Sequence, residues 1–220
     1  MNITQMIDSI PLFSAIGDEG RRRLAEVARR KVFPKNTVIM SEGDETDSLY
    51  IICEGKVKVT IIDEHGKEII LSILEEGDYF GEMTALVDGE ARSASVVTRD
   101  QCLLLQLSRD DFRRIVSLYP DIVFSLLHVS MKRLRKANRK IESLALMDVY
   151  GRVARLFTEL AQPEDDHRVI KEKLTHQEIA NMVGSSREMI SRVMKELTSG
   201  GYITSEHKQI TINGKLPYAW

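Results

Sequence analysis

The chain has 220 residues, enough for one large domain or two small ones at about 100–200 residues each. Apolar residues make up 43% and charged residues 29%, a balance that supports a buried core, and no run approaches the about 18 apolar residues of a membrane span. Two cysteines, Cys53 and Cys102, exclude a disulfide framework, a four-cysteine zinc site and a protein-only iron–sulfur cluster. The opening Met1-Asn2-Ile3-Thr4-Gln5 lacks the basic and apolar segments of a secretory signal, so a cytoplasmic location is expected. The net charge of −2 conceals an asymmetry. Residues 131–220 hold 16 Lys and Arg against 11 Asp and Glu, while residues 1–130 hold 15 against 22. Opposite charge in the two parts points to two domains with different partners, the basic one a candidate for nucleic acid.

Residues 10–31 read as helical, with Leu24, Val27 and Ala28 inward and arginines around them. Short β-rich runs follow at 37–40, 49–53, 57–62, 69–74, 95–98 and 102–107. Gly43, Gly55, Gly66 and Gly77 punctuate them at intervals of 11 or 12, the rhythm of an antiparallel barrel or sandwich rather than of a βαβ sheet. Ser108 is placed to cap a short helix through Phe112. Pro120-Asp121 then opens a long one. Its inward positions run Val123, Leu127, Ser130, Leu134, Ala137, Ile141 and Leu144, spaced alternately by four and three. That is a heptad seam, narrower than the stripe of a globular helix, and it predicts a homodimer; the alternative is packing on the chain's own barrel. Lys132, Arg133, Arg135, Lys136, Arg139 and Lys140 flank the seam, most of them facing solvent. A break is expected near Met147-Asp148, with Asp148 capping the next helix and residues 145–149 as a hinge.

Residues 174–197 carry the strongest local pattern. Two helices cross tightly only where small residues stand at the contact, and Ala180 and Gly184 supply them. Gly184 suits a left-handed turn, Ser185 or Ser186 can cap the second helix, and Ile190 and Val193 return it to the core. Residues at the start of such a second helix reach base edges in the major groove. Arg187 there can take a guanine O6 and N7 together, and Glu188 can accept from cytosine N4; as bland alternatives both are helix-start charges. Residues 200–204 and 209–212 read as a β-hairpin with Ser205 to Lys208 at its tip, the wing of a winged helix–turn–helix. The apolar tail Leu216-Pro217-Tyr218-Ala219-Trp220 reads as a frayed terminus.

In the β-rich part, Phe80-Gly81-Glu82-Met83 followed by Ala91-Arg92-Ser93-Ala94-Ser95-Val96 is the informative stretch. Glycine lets backbone N–H groups approach a phosphate, arginine gives the anion a charge-assisted partner, and glutamate accepts from a ribose hydroxyl. A plain Glu82–Arg92 salt bridge is the alternative reading.

With these segments, with Asp63 through Glu68 and with Leu144 through Val149, the chain resembles the cyclic AMP receptor protein family of bacterial transcription regulators from about Leu12 to Ile212. The resemblance implies an α+β chain. An N-terminal cyclic-nucleotide-binding β-barrel of jelly-roll type spans 1–120, a dimerisation helix and hinge 121–147, and a winged helix–turn–helix 148–220. It implies a homodimer on palindromic double-stranded DNA, with RNA polymerase as a partner and no membrane, metal or enzymatic activity. By resemblance Gly81 and Glu82 hold the ribose, Arg92 and Ser93 the cyclic phosphate, and Met83, Arg133, Ala137 and Asn138 complete the ligand set. Arg187, Glu188 and Arg192 become base readers, joined at the DNA by Thr175, Gln177, Ser186 and Ser191.

One departure bears on the ligand. Where the cyclic AMP receptor places a threonine–serine pair against the adenine, this chain has Ala137-Asn138; alanine cannot make a hydroxyl's hydrogen bond, whereas asparagine's amide donates and accepts. Cyclic AMP is the first expectation and cyclic di-GMP, a ligand of some relatives, the second. A constitutive DNA binder with a vestigial pocket is a third reading. A haem or iron–sulfur sensor is not supported, since His65, His128, His167, His176 and His207 form no ligand-spaced set. A phosphodiesterase is not supported either, since Asp44, Glu45, Asp47 and His65 show no metal-ligand spacing.

Overall fold

The computed structural model describes residues 3–164, 167–206 and 209–217. Two compact units emerge: the chain up to Gly66 together with Ile70–Arg133, and Lys67–Ile69 together with the chain from Leu134 onward. No single helix among the described residues is long and apolar enough to cross a membrane.

In the first unit, α1 (Ile3–Asp8) and α2 (Asp18–Val27) precede eight strands. These are β1 (Arg29–Phe33), β2 (Val38–Met40), β3 (Leu49–Glu54), β4 (Val57–Ile62), β5 (Glu68–Leu74), β6 (Tyr79–Phe80), β7 (Ser95–Thr98) and β8 (Cys102–Leu107). Helix α3 (Glu82–Leu86) separates β6 from β7; α4 (Arg109–Leu118) and α5 (Asp121–Leu146) follow. The helix expected over 10–31 is interrupted. Pro11–Phe13 forms one 3-10 turn, the α-helix starts only at Asp18, and the chain is already a strand at Arg29. The arginines of β1 disguised it, because four of its five residues are exposed and no apolar alternation shows.

The strands form two four-stranded antiparallel sheets, ordered β1-β8-β3-β6 and β2-β7-β4-β5. They make the jelly-roll type expected, in the form of a sandwich of two sheets with open edges and not of a closed barrel. Gly43, Gly55, Gly66 and Gly77 all have positive φ, so the expected turns lie where the spacing put them. β3 and β8 are buried on both faces. Ile52, Cys102 and Leu104 pack between the sheets with Val57, Phe80 and Val96. Leu49, Ile51, Leu103, Leu105 and Leu107 instead meet Phe13, Leu24, Phe112 and Ile122 from the helical layer. Burial on both sides explains why these strands read as unbroken apolar runs.

Ser108 caps α4, accepting from Asp111 N at 3.2 Å, and the helix runs on to Leu118, well past Phe112. On α5 the positions that pack into the unit's core are Ile122 and Leu126, both under 7% exposed. The heptad positions expected inward face out of the single chain: Val123, Leu127, Leu134 and Ile141 are 46%, 50%, 56% and 63% exposed.

In the second unit, Asp148 caps α6 (Val149–Leu160) by accepting from Gly151 N at 2.8 Å. β9 (Gln162–Glu164) and β10 (His167–Ile170) precede α7 (His176–Val183) and α8 (Arg187–Ser199), and β11 (Ile203–Glu206) and β12 (Gln209–Ile212) close the wing. The sheet order is β11-β12-β10-β9, so the expected hairpin is half of a four-stranded sheet. β9 and β10 escaped sequence reading because they are short and mostly exposed. Phe157, Ile179, Ala180, Ile190 and Val193 are fully buried at the centre of this unit. The wing's tip at His207-Lys208 and the last three residues of the tail, Tyr218–Trp220, lie outside the described residues; Leu216, the tail's first residue, is buried and so not frayed as expected.

Candidate nucleotide site and nucleic-acid interface

The first candidate site is built where β6 turns into α3. Gly81 takes φ +84°, and a side chain there would meet Ser48 O at 2.6 Å and Arg92 Nη1 at 2.7 Å, so glycine is required on conformation and on space. Arg92 arrives from the loop before β7 and is only 4% exposed. Its Nε donates to Thr46 Oγ1 at 3.0 Å, its Nη1 to Gly81 O at 3.0 Å and to Thr84 Oγ1, and its Nη2 to Ser48 O at 2.7 Å. Four of the five guanidinium protons are thus placed, all on neutral oxygens, and one remains on Nη2. Among the described residues no carboxylate stands within ion-pair distance of it. Burial pushes its pKa down, against the opposing fields of Tyr50, Asp47 and Asp44. The backbone straps the same segment to the β2–β3 loop, through Gly43 N to Arg92 O at 2.8 Å and Arg92 N to Asp44 O at 2.9 Å.

Glu82 does not pair with Arg92. Its carboxylate accepts from Arg133 Nη1 at 2.9 Å, with Glu82 18% and Arg133 30% exposed. Arg133 also donates to Tyr79 O and lies 4.7 Å over the Tyr79 ring, an arrangement that holds it by charge, hydrogen bond and cation–π contact at once. Burial pushes the Tyr79 phenol up to about 12, so it stays neutral there. Ser93 is exposed, with its hydroxyl 3.6 Å from Met83 Sδ. Gly81, Glu82, Met83, Arg92, Ser93 and Arg133 are therefore neighbours. Ala137 and Asn138 are exposed positions further along α5. Sequence reasoning missed Thr46, Thr84 and the Ser48 carbonyl, which hold Arg92; Thr84 lay one helical turn after Gly81, the only local signal available.

The second candidate site is the pair α7 and α8. Thr175 and Glu178 form a capping box, Thr175 Oγ1 accepting from Glu178 N at 3.2 Å and Glu178 Oε2 accepting from Thr175 N at 2.9 Å. Gly184 ends α7 at φ +66° with its N–H on Ala180 O. A methyl group there would press Leu144 Cδ2 at 3.2 Å, so the turn is tight on both counts. Of the two serines, Ser186 caps α8, accepting from Met189 N at 3.2 Å. Arg187, Glu188, Ser191 and Arg192 are all exposed on α8. Hydrogen bonds from its own N–H and from Ser186 hold the Glu188 carboxyl below its ordinary range. Gln177 Nε2 donates to Asn181 Oδ1 at 2.8 Å on α7. Thr175 and Ser186 thus have structural duties as caps, while Arg187, Glu188 and Arg192 present their charges outward. Among the described residues no group of three His, Cys, Asp or Glu is arranged to hold a metal ion.

Residues 30–119 match the family described as the cyclic nucleotide-binding domain, and residues 151–214 the Crp-like helix-turn-helix domain. The chain is 36% identical over 187 residues to the cAMP-activated global transcriptional regulator CRP of Salmonella typhimurium, covering 83% of this chain and 88% of that one. It is 37% identical over 200 residues to the cAMP-activated global transcriptional regulator Vfr of Pseudomonas aeruginosa, covering 87% and 92%. Among solved structures, the c-di-GMP responsive global regulator CLP of Xanthomonas campestris superposes with a TM-score of 0.79 at 27% identity, over 90% of this chain and 100% of that one.

Proposed function

This chain belongs to the cyclic AMP receptor protein family of transcription regulators, DNA-binding proteins responsive to cyclic nucleotides rather than enzymes, and from that premise we propose that it is a homodimeric regulator that takes cyclic AMP at Arg92 and reads palindromic DNA. The observation that carries the ligand reading is the buried Arg92 guanidinium. A cation in that setting without an ion-pair partner costs several kcal/mol, and an anion offered to its remaining N–H offsets the cost. Arg92 and Ser93 take the cyclic phosphate. Gly81 and Glu82 take the ribose, whose hydroxyl competes with Arg133 for the Glu82 carboxylate. The relatives named as cAMP-activated support the choice of nucleotide.

The dimer reading rests on α5. Its outward seam of Val123, Leu127, Leu134 and Ile141 runs over about five turns and is not the face that packs in the chain's own core. A second copy in parallel buries it and sets two α8 helices for a palindrome, with Arg187, Glu188 and Arg192 as base readers. RNA polymerase is then the partner through which bound DNA becomes regulated transcription.

A second ligand reading has its own observation. Ala137 removes the hydroxyl that the family sets against adenine and Asn138 brings an amide, while the CLP relative is described as c-di-GMP responsive. Calorimetric titration of the purified protein with cyclic AMP, cyclic GMP and cyclic di-GMP tests both readings. Saturable binding of cyclic AMP alone supports the first, a preference for cyclic di-GMP selects the second, and no heat with any of them leaves a constitutive DNA binder.

A further inference from the structure

Sequence reading considered His176, the first residue of α7, only as a haem or metal ligand. It lines one cleft of about 570 Å³ with Arg187 of α8 and Ser205 of β11, the strip between second helix and wing. Its Nδ1 lies 2.9 Å from Ser191 Oγ, and Ser191 Oγ lies 3.0 Å from Arg187 O. A hydroxyl has one proton, and a carbonyl oxygen can only accept. With the Ser191 proton on Arg187 O, Ser191 Oγ accepts and His176 Nδ1 is the donor, the one arrangement that makes both contacts hydrogen bonds. This leaves Nε2 as the variable atom: a bare acceptor in the neutral ring, a donor in the imidazolium. A DNA phosphate at neutral pH only accepts.

We propose that His176 is a proton-linked phosphate contact: Ser191 fixes a proton on Nδ1, and DNA binding draws a second proton from solvent onto Nε2, which then donates to a backbone phosphate. The proposal rests on the DNA-binding reading above. The charged groups around it come from two elements. From α8, Arg187 and Lys195 stand one turn before and after Ser191 on the same face. From α7, Glu178 is occupied by Thr175 N and Oγ1, at 2.9 Å each. The described side chain that the wing brings to the cleft beside Ile210 is the uncharged Ser205. The imidazole of α7, hydrogen-bonded to Ser191 between Arg187 and Lys195 of α8, thus stands in a locally cationic setting that suits a backbone phosphate beside the bases Arg187 reads. The sign follows. A phosphate stabilises the charged ring, so the contribution to affinity is full at low pH and is lost as pH rises.

Two measurements test this. Long-range ¹⁵N–¹H correlation on the free protein at about pH 8 should show His176 protonated on Nδ1 and bare on Nε2; the opposite tautomer overturns the proposal without touching the DNA-binding reading. Fluorescence anisotropy with a mixed-sequence duplex between about pH 6 and 8 should show affinity falling more steeply with pH in wild type than in His176→Gln. The difference in slope should be at most tenfold per pH unit for each protomer, the limit of one whole proton per histidine. His176→Arg should keep the low-pH affinity throughout, and it serves as the second variant should the Gln protein melt early. The salt slope of wild type should be steeper at about pH 6 than at pH 8 by about 0.9 per contact. Equal pH slopes in wild type and His176→Gln overturn the proposal. The duplex titrations are run with cyclic AMP, with cyclic di-GMP and with neither; failure of wild type to bind duplex DNA at any pH under all three overturns the DNA-binding reading, and this inference with it.

Discussion

At the scale of single residues the candidate sites turn on two arginines in opposite environments. Arg92 is enclosed and held by four neutral oxygens, so its remaining N–H points to a selective anion contact. Arg92→Leu should weaken cyclic nucleotide binding at least tenfold, because a charge-assisted hydrogen bond contributes about 1.5–3 kcal/mol; calorimetry on the variant checks it, and unchanged affinity removes Arg92 from the site. Arg187 is exposed at the start of α8, free to reach base edges. Arg187→Ala should cost about 1–3 kcal/mol on a selected operator and relax the preference at one guanine, read by binding to a panel of single-base variants. Loss of a phosphate contact would instead weaken all sequences alike. Both arginines were legible in the sequence because each sits beside a glycine turn or a capping serine. The partners of Arg92 were not, since Thr46 and Ser48 are more than forty positions away and only the fold brings them close.

Among the elements, α5 shows how a periodic pattern is right about geometry and silent about the partner. The alternating four–three spacing marks one straight face, yet that face lies open while the neighbouring stripe of Ile122 and Leu126 enters the core. Leu134→Glu places a carboxylate in the middle of the seam, 56% exposed in the single chain and opposed by its twin in a parallel pair. The variant should sediment as a monomer while keeping the wild-type far-ultraviolet spectrum; a dimer of wild-type stability would assign the seam another role. The strands were legible wherever glycine turns bounded apolar runs. β1, β9 and β10 were not, because their exposed faces are polar and their ladders, not their own side chains, define them.

In the whole molecule α5 is the covalent link, contributing residues up to Arg133 to one compact unit and from Leu134 to the other. A ligand that alters the Glu82–Arg133 pair acts on that helix directly, and it gates DNA binding only if it prefers one of two states of the molecule. Reciprocity then sets a strict expectation. Saturating cyclic nucleotide should tighten operator binding by the same factor as operator tightens nucleotide binding, and the preferred operator should carry half-sites about 34–36 Å apart. Titrations of each ligand in the presence and absence of the other check this across a salt series, and an operator affinity indifferent to nucleotide would leave no coupling to explain. The sequence by itself determined the two-part organisation, the glycine-bounded strands, the helix–turn–helix and the residues of the glycine–arginine cassette. All of these depend on local spacing, on backbone conformations that few residues tolerate, and on capping chemistry within four residues. Tertiary structure alone decided that the strands make an open-edged sandwich, that Glu82 pairs with Arg133 rather than Arg92, and that the heptad face of α5 stays uncovered. Those outcomes depend on which distant side chains compete for the same partner or the same core volume, and no periodicity in one segment carries that information.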